Sequence, residues 1–474
     1  MKDPPMFNKV LFSLLITLCV ALLLLWRVGP PKVAIAPRLP IPENQGKPKA
    51  PKAEEASNPG TLVHSSGTPS ADTGSWPQFR GADRRNIAAG FSIPDTWPAG
   101  GPPVLWKLHV GEGHAGPAIH KGRVFLLDYD EAKKEDVVRC LSLADGKDIW
   151  RYSYTSKVKR NHGMSRTTPA VSDRFLVTLG PNAHVHCLHP ETGSLYWKKD
   201  LVAEYGTQVP EWYAGQCPLI DGDHVLLAPG GKCLLTAIDL ATGNTVWETP
   251  NPKGWKMSHS SIAPAEFEGE KEYLWCSAEG AVAVSAKDGA LLWDLPEWRI
   301  RIATVPSPAD LGQGRILFSG GYGAGALAVK QVRKDGKIEL ETLYRTEPDV
   351  FGADQHTPIL VDGLIYAIIP GGKLTCLTPE GKVHWSLADL NFGLGPFLFV
   401  DGKLLIQDDD HDSPGALCLY RVDAKGASQL ASAKILEGHE AWGPMAFADG
   451  KLILRDSKTL VCIDLTKPGG PPSS

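Results

Sequence analysis

HPETGSLYW, residues 189–197, reads as a polar turn running into a strand, with a tryptophan four positions after its glycine. The pattern recurs as LADGKDIW (143–150), DLATGNTVW (239–247), SAKDGALLW (285–293) and TPEGKVHW (378–385). Glycine sits where a tight turn demands a positive φ, and alternating apolar residues flank it, as in VVRCLSL before Ala144. Each unit therefore reads as strand, turn, strand. The constant offset of four gives each indole the same place in its unit, which unrelated core tryptophans would not share.

A second marker lies upstream of each turn. A proline opens a short strand, often followed by Asp-Gly and another strand, as in TPILVDGLIYAIIP (357–370), GPFLFVDGKLLIQD (395–408) and GPMAFADGKLILRD (443–456). The anchors are Pro117, Pro169, Pro218, Pro264, Pro308, Pro358, Pro396 and Pro444, spaced 38 to 52 residues apart. That spacing suits four short strands per unit, and eight such units suit an all-β, eight-bladed β-propeller whose antiparallel blades cover one another's faces. An indole on each outermost strand would wedge between neighbouring blades, burying roughly 150–250 Å². The eighth unit stops after VCIDL (461–465) without a fourth strand, so PVLWKLHVG (103–111), with Trp106 in the wedge position, is expected to complete it and close the ring.

AIDLATGNTVW (237–247) resembles the A-x-D-x-x-T-G-x-x-x-W docking motif of pyrroloquinoline-quinone-type (PQQ-like) propellers. Other copies depart from it: Cys140 and Cys187 replace Ala, and Ser142 and His189 replace Asp. SWPQFRG (75–81) is similar to the opening of many bacterial propellers of this type, and the resemblance extends to Leu465. WD40 repeats fit poorly, because Asp follows Trp only at Trp293-Asp294. Within the superfamily the resemblance implies two roles. One is a binding scaffold without quinone chemistry, similar to the propeller lipoprotein of outer-membrane barrel assembly. The other is a PQQ-dependent alcohol or sugar dehydrogenase, which would need the quinone and a calcium ion. The chain has no Cys-Cys pair, no C-x-x-C-H and no residue-by-residue match to a calcium-ligand set. The scaffold reading is therefore preferred, with no cofactor expected.

The first 75 residues differ from the rest. Residues 10–26, VLFSLLITLCVALLLLW, carry no charge between Lys9 and Arg27 and reach roughly 25 Å as a helix, close to a hydrocarbon core. Residues 1–28 are thus expected to be a membrane anchor, or a signal segment cleaved after Ala34-Ile35-Ala36; Pro37 argues against cleavage. Either way the bulk of the chain is expected outside the cytoplasm, in the cell envelope or secreted. Residues 29–75 lack aromatic residues and are rich in Pro, Lys and Ser, so they are expected to be a disordered tether up to Ser75. The propeller then occupies residues 76–466, and 467–474 form a tail.

A net charge of −4 without a basic, aromatic-rich patch gives no reason to expect nucleic-acid binding. Outside the apolar segment, Cys140, Cys187, Cys376, Cys418 and Cys462 take equivalent strand positions, too far apart around a ring to pair, and read as small packing residues. Cys217, Cys233 and Cys276 retain the option of pairing. DDDHDSPG (408–415) is the densest acidic cluster but lacks the spaced register of a calcium loop and reads as a solvated turn.

Propellers bind most often at the mouth of the central channel, where the linkers preceding the anchor prolines converge. Those linkers supply His114, Arg166, Trp212, His259, Gln355, His356, Glu440 and Trp442, a set rich in donors, acceptors and stacking surfaces. They are the candidate binding face for protein partners at the envelope or for a ligand. No catalytic or metal-ligating residue is assigned.

Overall fold

The structure, a computed structural model, describes residues 60–466 apart from 388, 411–413 and 439. The apolar segment, the tether as far as residue 59 and the tail from 467 lie outside the described residues, as do His411 and Asp412 of the acidic cluster.

Eight sheets with antiparallel blade strands follow one another, the first strand of each lying at or just after an anchor proline. Blade 1 comprises Ala118–His120, Arg123–Asp130, Glu135–Ser142 and Asp148–Thr155, and blades 2 to 7 repeat that order. Blade 8 holds Ala446–Ala448, Lys451–Arg455 and Thr459–Asp464, and its fourth strand is Val104–His109 from the other end of the propeller. First strands touch at the seams of blades 1–2, 2–3, 4–5 and 5–6, and Ala446–Ala448 touches Ala118–His120, so first strands line the axis and the ring is closed. The expected eight blades and closing strand are therefore present.

The wedge explains the glycine and the tryptophan together. In the outer hairpin of six blades a small residue faces the indole: Cys140 pairs with Trp150, Cys187 with Trp197, Ala237 with Trp247, Ala283 with Trp293, Cys376 with Trp385 and Cys462 with Trp106. A β-bulge follows at once and turns the strand. The ring then reaches the next blade's turn glycine. A Cβ on Gly193 would lie 2.8 Å from the Trp150 indole, one on Gly243 2.8 Å from Trp197, and one on Gly146 2.8 Å from Trp106. These glycines also hold φ near +70°, so two separate constraints exclude a side chain. The indole N–H donates into the next blade: Trp106 to the Leu143 carbonyl (2.9 Å), Trp150 to Pro190 (3.1 Å), Trp197 to Leu240 (2.8 Å) and Trp385 to Asp423 (2.8 Å). All eight described cysteines are free and buried, so Cys217, Cys233 and Cys276 do not pair.

Two blades break the pattern. In blade 5 Tyr344 stands in for tryptophan and packs over Gly381. Blade 7's outer strand, Gly426–Lys434, offers only small residues at this place, with Ser432 opposite Cys418. Trp97, from the segment before the closing strand, shares a groove there with Leu430, Ala431 and Ala433.

The expected tether to Ser75 is corrected. Thr61–His64 forms a fifth strand on the outer edge of blade 1, paired from Thr61 with Ser153 to His64 with Trp150. Leu62 covers the Trp150–Gly193 wedge, so this stretch gains apolar burial that composition alone concealed. Ser75–Trp76 then adds inside blade 1, and Ile87–Ala88 pairs in parallel with blade 7. Blade 1 thus has six strands and blade 7 five, where four were expected. Among the described residues no helix is long and apolar enough to cross a membrane.

Between those two edge strands, residues 77–86 cross the axis. Arg84 donates to the carbonyls of Ile262 (2.8 Å) and Cys217 (3.2 Å) and to that of Pro218, tying blade 3 to blade 4. Arg80 donates to Arg84 (2.9 Å), Thr357 (2.7 Å) and Pro358 (3.1 Å), reaching blade 6. Gln78 accepts from the Ile220 amide, and Asn86 donates to Phe397. Both guanidiniums are buried among backbone carbonyls, and desolvation lowers their pKa values to about 9 for Arg80 and about 10 for Arg84. This segment plugs one end of the channel.

Candidate functional site

The other end stays open. The linkers that precede the first strands surround a cavity of about 280 Å³. His114, Arg166, Trp212, His259, Gln355, His356 and Trp442 all line it, so seven of the eight sequence-selected residues come together. The eighth, Glu440, sits beside them, with carboxylate oxygens 3.8 Å from His114 Nε2 and 4.0 Å from His162 Nδ1. Phe79 of the plug also faces the cavity and separates it from a second one of about 330 Å³ around Arg80 and Arg84. The mouth is therefore a blind recess.

Each wall is braced from behind. Asp409 accepts from the Trp442 indole N–H and, at 2.9 Å, from the Ala441 amide, so this part of the acidic cluster supports the mouth. Trp442 stacks on His114 with ring centroids 4.9 Å apart, and His114 Nε2 lies 2.9 Å from the His162 carbonyl. His356 Nε2 lies 3.1 Å from the Leu394 carbonyl. Arg166 donates from Nε to the Trp212 carbonyl (2.5 Å) and from Nη2 to those of Asn161 (2.9 Å) and His162 (2.8 Å).

Burial sets the charge state. Desolvation lowers the pKa of His114 to about 3 and those of His259 and His356 to about 4, so all three are neutral near pH 7. Desolvation also lowers Arg166, to about 10, which leaves it a cation. The recess thus sets the Arg166 cation among the neutral rings of His114, His259 and His356, with the Glu440 carboxylate near enough to act on that charge.

That donor set does not fit a calcium–quinone centre. Calcium takes six to eight oxygens, usually with carboxylates, whereas the lining side chains bring oxygens only from Gln355, Ser261 and Tyr322 and set a guanidinium beside them. Among the described residues no three His, Cys, Asp or Glu side chains are grouped to hold a metal ion.

Sequence reasoning missed Phe79, His162, Cys217 and Tyr322, which also line the recess. Cys217 lies one residue before an anchor proline, a signal within reach; Phe79 comes from the plug, which no repeat announces. Conversely, Arg301, from an equivalent linker, is exposed and does not line the recess.

A family model described as outer membrane protein assembly factor BamB matches residues 133–369, half of the chain. A protein of that name from Moranella endobia (strain PCIT) is 22% identical over 340 residues, covering 68% of this chain and 70% of its own length. Among solved structures, BamB from Moraxella catarrhalis aligns with a TM-score of 0.53 at 13% identity, over 76% of this chain and 99% of that one. The quinohemoprotein alcohol dehydrogenase from Comamonas testosteroni aligns with a TM-score of 0.57 at 12% identity, over 84% and 82%. At such identities the structural likenesses speak for the fold. With half its length under the family model and eight blades of four or more strands in the ring, the chain belongs to the PQQ-like β-propeller family of the outer membrane protein assembly factor BamB.

Proposed function

We propose that this chain is a non-catalytic scaffold of the cell envelope that engages protein partners at the open mouth of its channel. The observation that carries this reading is the recess itself, a single-ended hollow whose lining is rich in aromatic and hydrogen-bonding groups and poor in oxygen donors for a metal. Its curated relatives bear the name of an outer-membrane assembly factor, which supports an envelope location and protein partners. In this reading residues 1–28 anchor or export the chain and the segment up to residue 59 spaces the propeller from the membrane.

The test is photo-crosslinking in intact cells from Tyr322 at the mouth and, for comparison, Arg85 at the plug. The expected result is capture of envelope proteins from Tyr322 and not from Arg85. Capture from Arg85 alone, or from neither, overturns the reading. Incubation with pyrroloquinoline quinone and calcium provides a second check, with no stoichiometric uptake expected. Uptake together with dye reduction by an alcohol or aldose would establish the dehydrogenase instead.

A further inference from the structure

Arg166 has five N–H donors, and the protein uses only one side of the fork. Nε and Nη2 are fixed by three carbonyls, of Trp212, Asn161 and His162. Among the described residues Nη1 has no protein acceptor and no carboxylate lies within ion-pair distance of this guanidinium, the Glu440 charge acting on it only from farther off. A guanidinium oriented by backbone and left with an open edge is preorganised for an anion, because the entropy of placing it is already spent. Arg84 and Arg80, at the plug, have both Nη groups engaged.

His259 supplies an independent observation. Its Nε2 is buried without a hydrogen-bond partner, while the ring lines the same recess 6.3 Å from the Trp212 ring. Room for the imidazole depends on Gly215, where a Cβ would come within 2.7 Å of His259 Cδ2. Leaving a buried polar atom unpaired costs about 1–3 kcal/mol, a cost that an incoming acceptor or donor would relieve.

We propose that the mouth is a receptor for a carboxylate presented by a protein partner, on an acidic side chain or chain terminus, gripped by Nη1 of Arg166 with His259 beside it. This rests on the reading of the mouth as the partner-binding face. One cation suits a singly charged carboxylate better than a phosphate, which carries nearly two charges. The aromatic faces of Trp212 and Trp442 suit the apolar stem that carries it. At about 280 Å³ the recess has room for one or two side chains, at the small end of the ~300–1,000 Å³ typical of ligand pockets.

Calorimetric titration of the full chain with acetylated, amidated Ser-Phe-Glu-Phe-Ser and its Gln counterpart tests the proposal. The expected result is that the Glu peptide binds at least ~10-fold tighter. That gap should close in Arg166→Gln and narrow in Gly215→Ala, which keeps the guanidinium but crowds His259, and it should shrink at high salt. Equal affinity of the two peptides, or binding of neither, overturns it. Benzoate binding as tightly as the Glu peptide would assign the site to free small acids and overturn the protein-borne source. If the peptides bind equally while Tyr322 still captures envelope proteins, the carboxylate receptor fails and the scaffold reading stands. Melting curves of both variants show whether a lost gap reflects a lost fold.

Discussion

The seam between blades 1 and 2 and the mouth of the channel both use tryptophan, and they use it in opposite ways. Trp150 is fully buried, lies on Gly193 and gives its N–H to the Pro190 carbonyl. Trp212 is half-buried; its carbonyl accepts from Arg166, and its ring lies loosely beside His259, 6.3 Å away. In the seam a side chain is consumed by the fold. At the mouth, side chains are held in place from behind and their faces are left available. The difference teaches where substitution should cost stability and where it should cost binding.

Trp150→Ala should break the seam most severely, with a loss of about 3–5 kcal/mol as expected for a buried indole, read from denaturant midpoints. Gly193→Ala should cost about 1–3 kcal/mol, because its methyl meets the indole and its φ is +73°. If either unfolds like the parent chain, the indole is not the wedge.

The seam also holds Asp136, fully buried near Tyr154 and Gly180, where burial pushes the carboxyl up to about 7. Its folded pKa exceeds the unfolded value of about 3.9, so the folded state binds the extra proton between these limits. Stability from this group is present in full below about pH 4 and is lost as pH rises through about 7, with a slope of at most about 1.4 kcal/mol per pH unit. Asp136→Asn should flatten that part of the stability–pH curve; an unchanged curve would place the titration elsewhere. Smallest of all, Trp212→Ala should shift stability by less than about 1 kcal/mol while weakening capture at the mouth. Trp442 and His356 are less clean probes, since each also ties one mouth loop to another.

The seam was legible because it is periodic. One glycine and one tryptophan, repeated, specify the blade, its neighbour's turn and the closing strand around Trp106. The mouth was legible by position alone: residues just before the anchor prolines converge, although nothing in their identity reveals that Arg166 keeps an open edge. The plug was not legible. Arg80 and Arg84 sit in a polar, arginine-rich stretch that resembles a solvated loop, and only the ring supplies the carbonyls that bury them. Thr61–His64 was hidden for a similar reason, because a short strand draws its stability from an edge elsewhere in the chain. Trp97 escaped notice because it comes from outside the repeat and meets blade 7's outer strand only in the folded ring.

The two ends of the channel offer the most direct test. Arg84→Met and Arg166→Met can be compared by denaturant unfolding while the Glu and Gln peptides are titrated into each. Arg84→Met is expected to unfold markedly earlier yet keep its preference for the Glu peptide, and Arg166→Met to unfold close to the parent chain and lose that preference. An Arg166→Met chain that unfolds as early as Arg84→Met, or one that still prefers the Glu peptide, would make the mouth arginine another structural joint and contradict its role as a receptor.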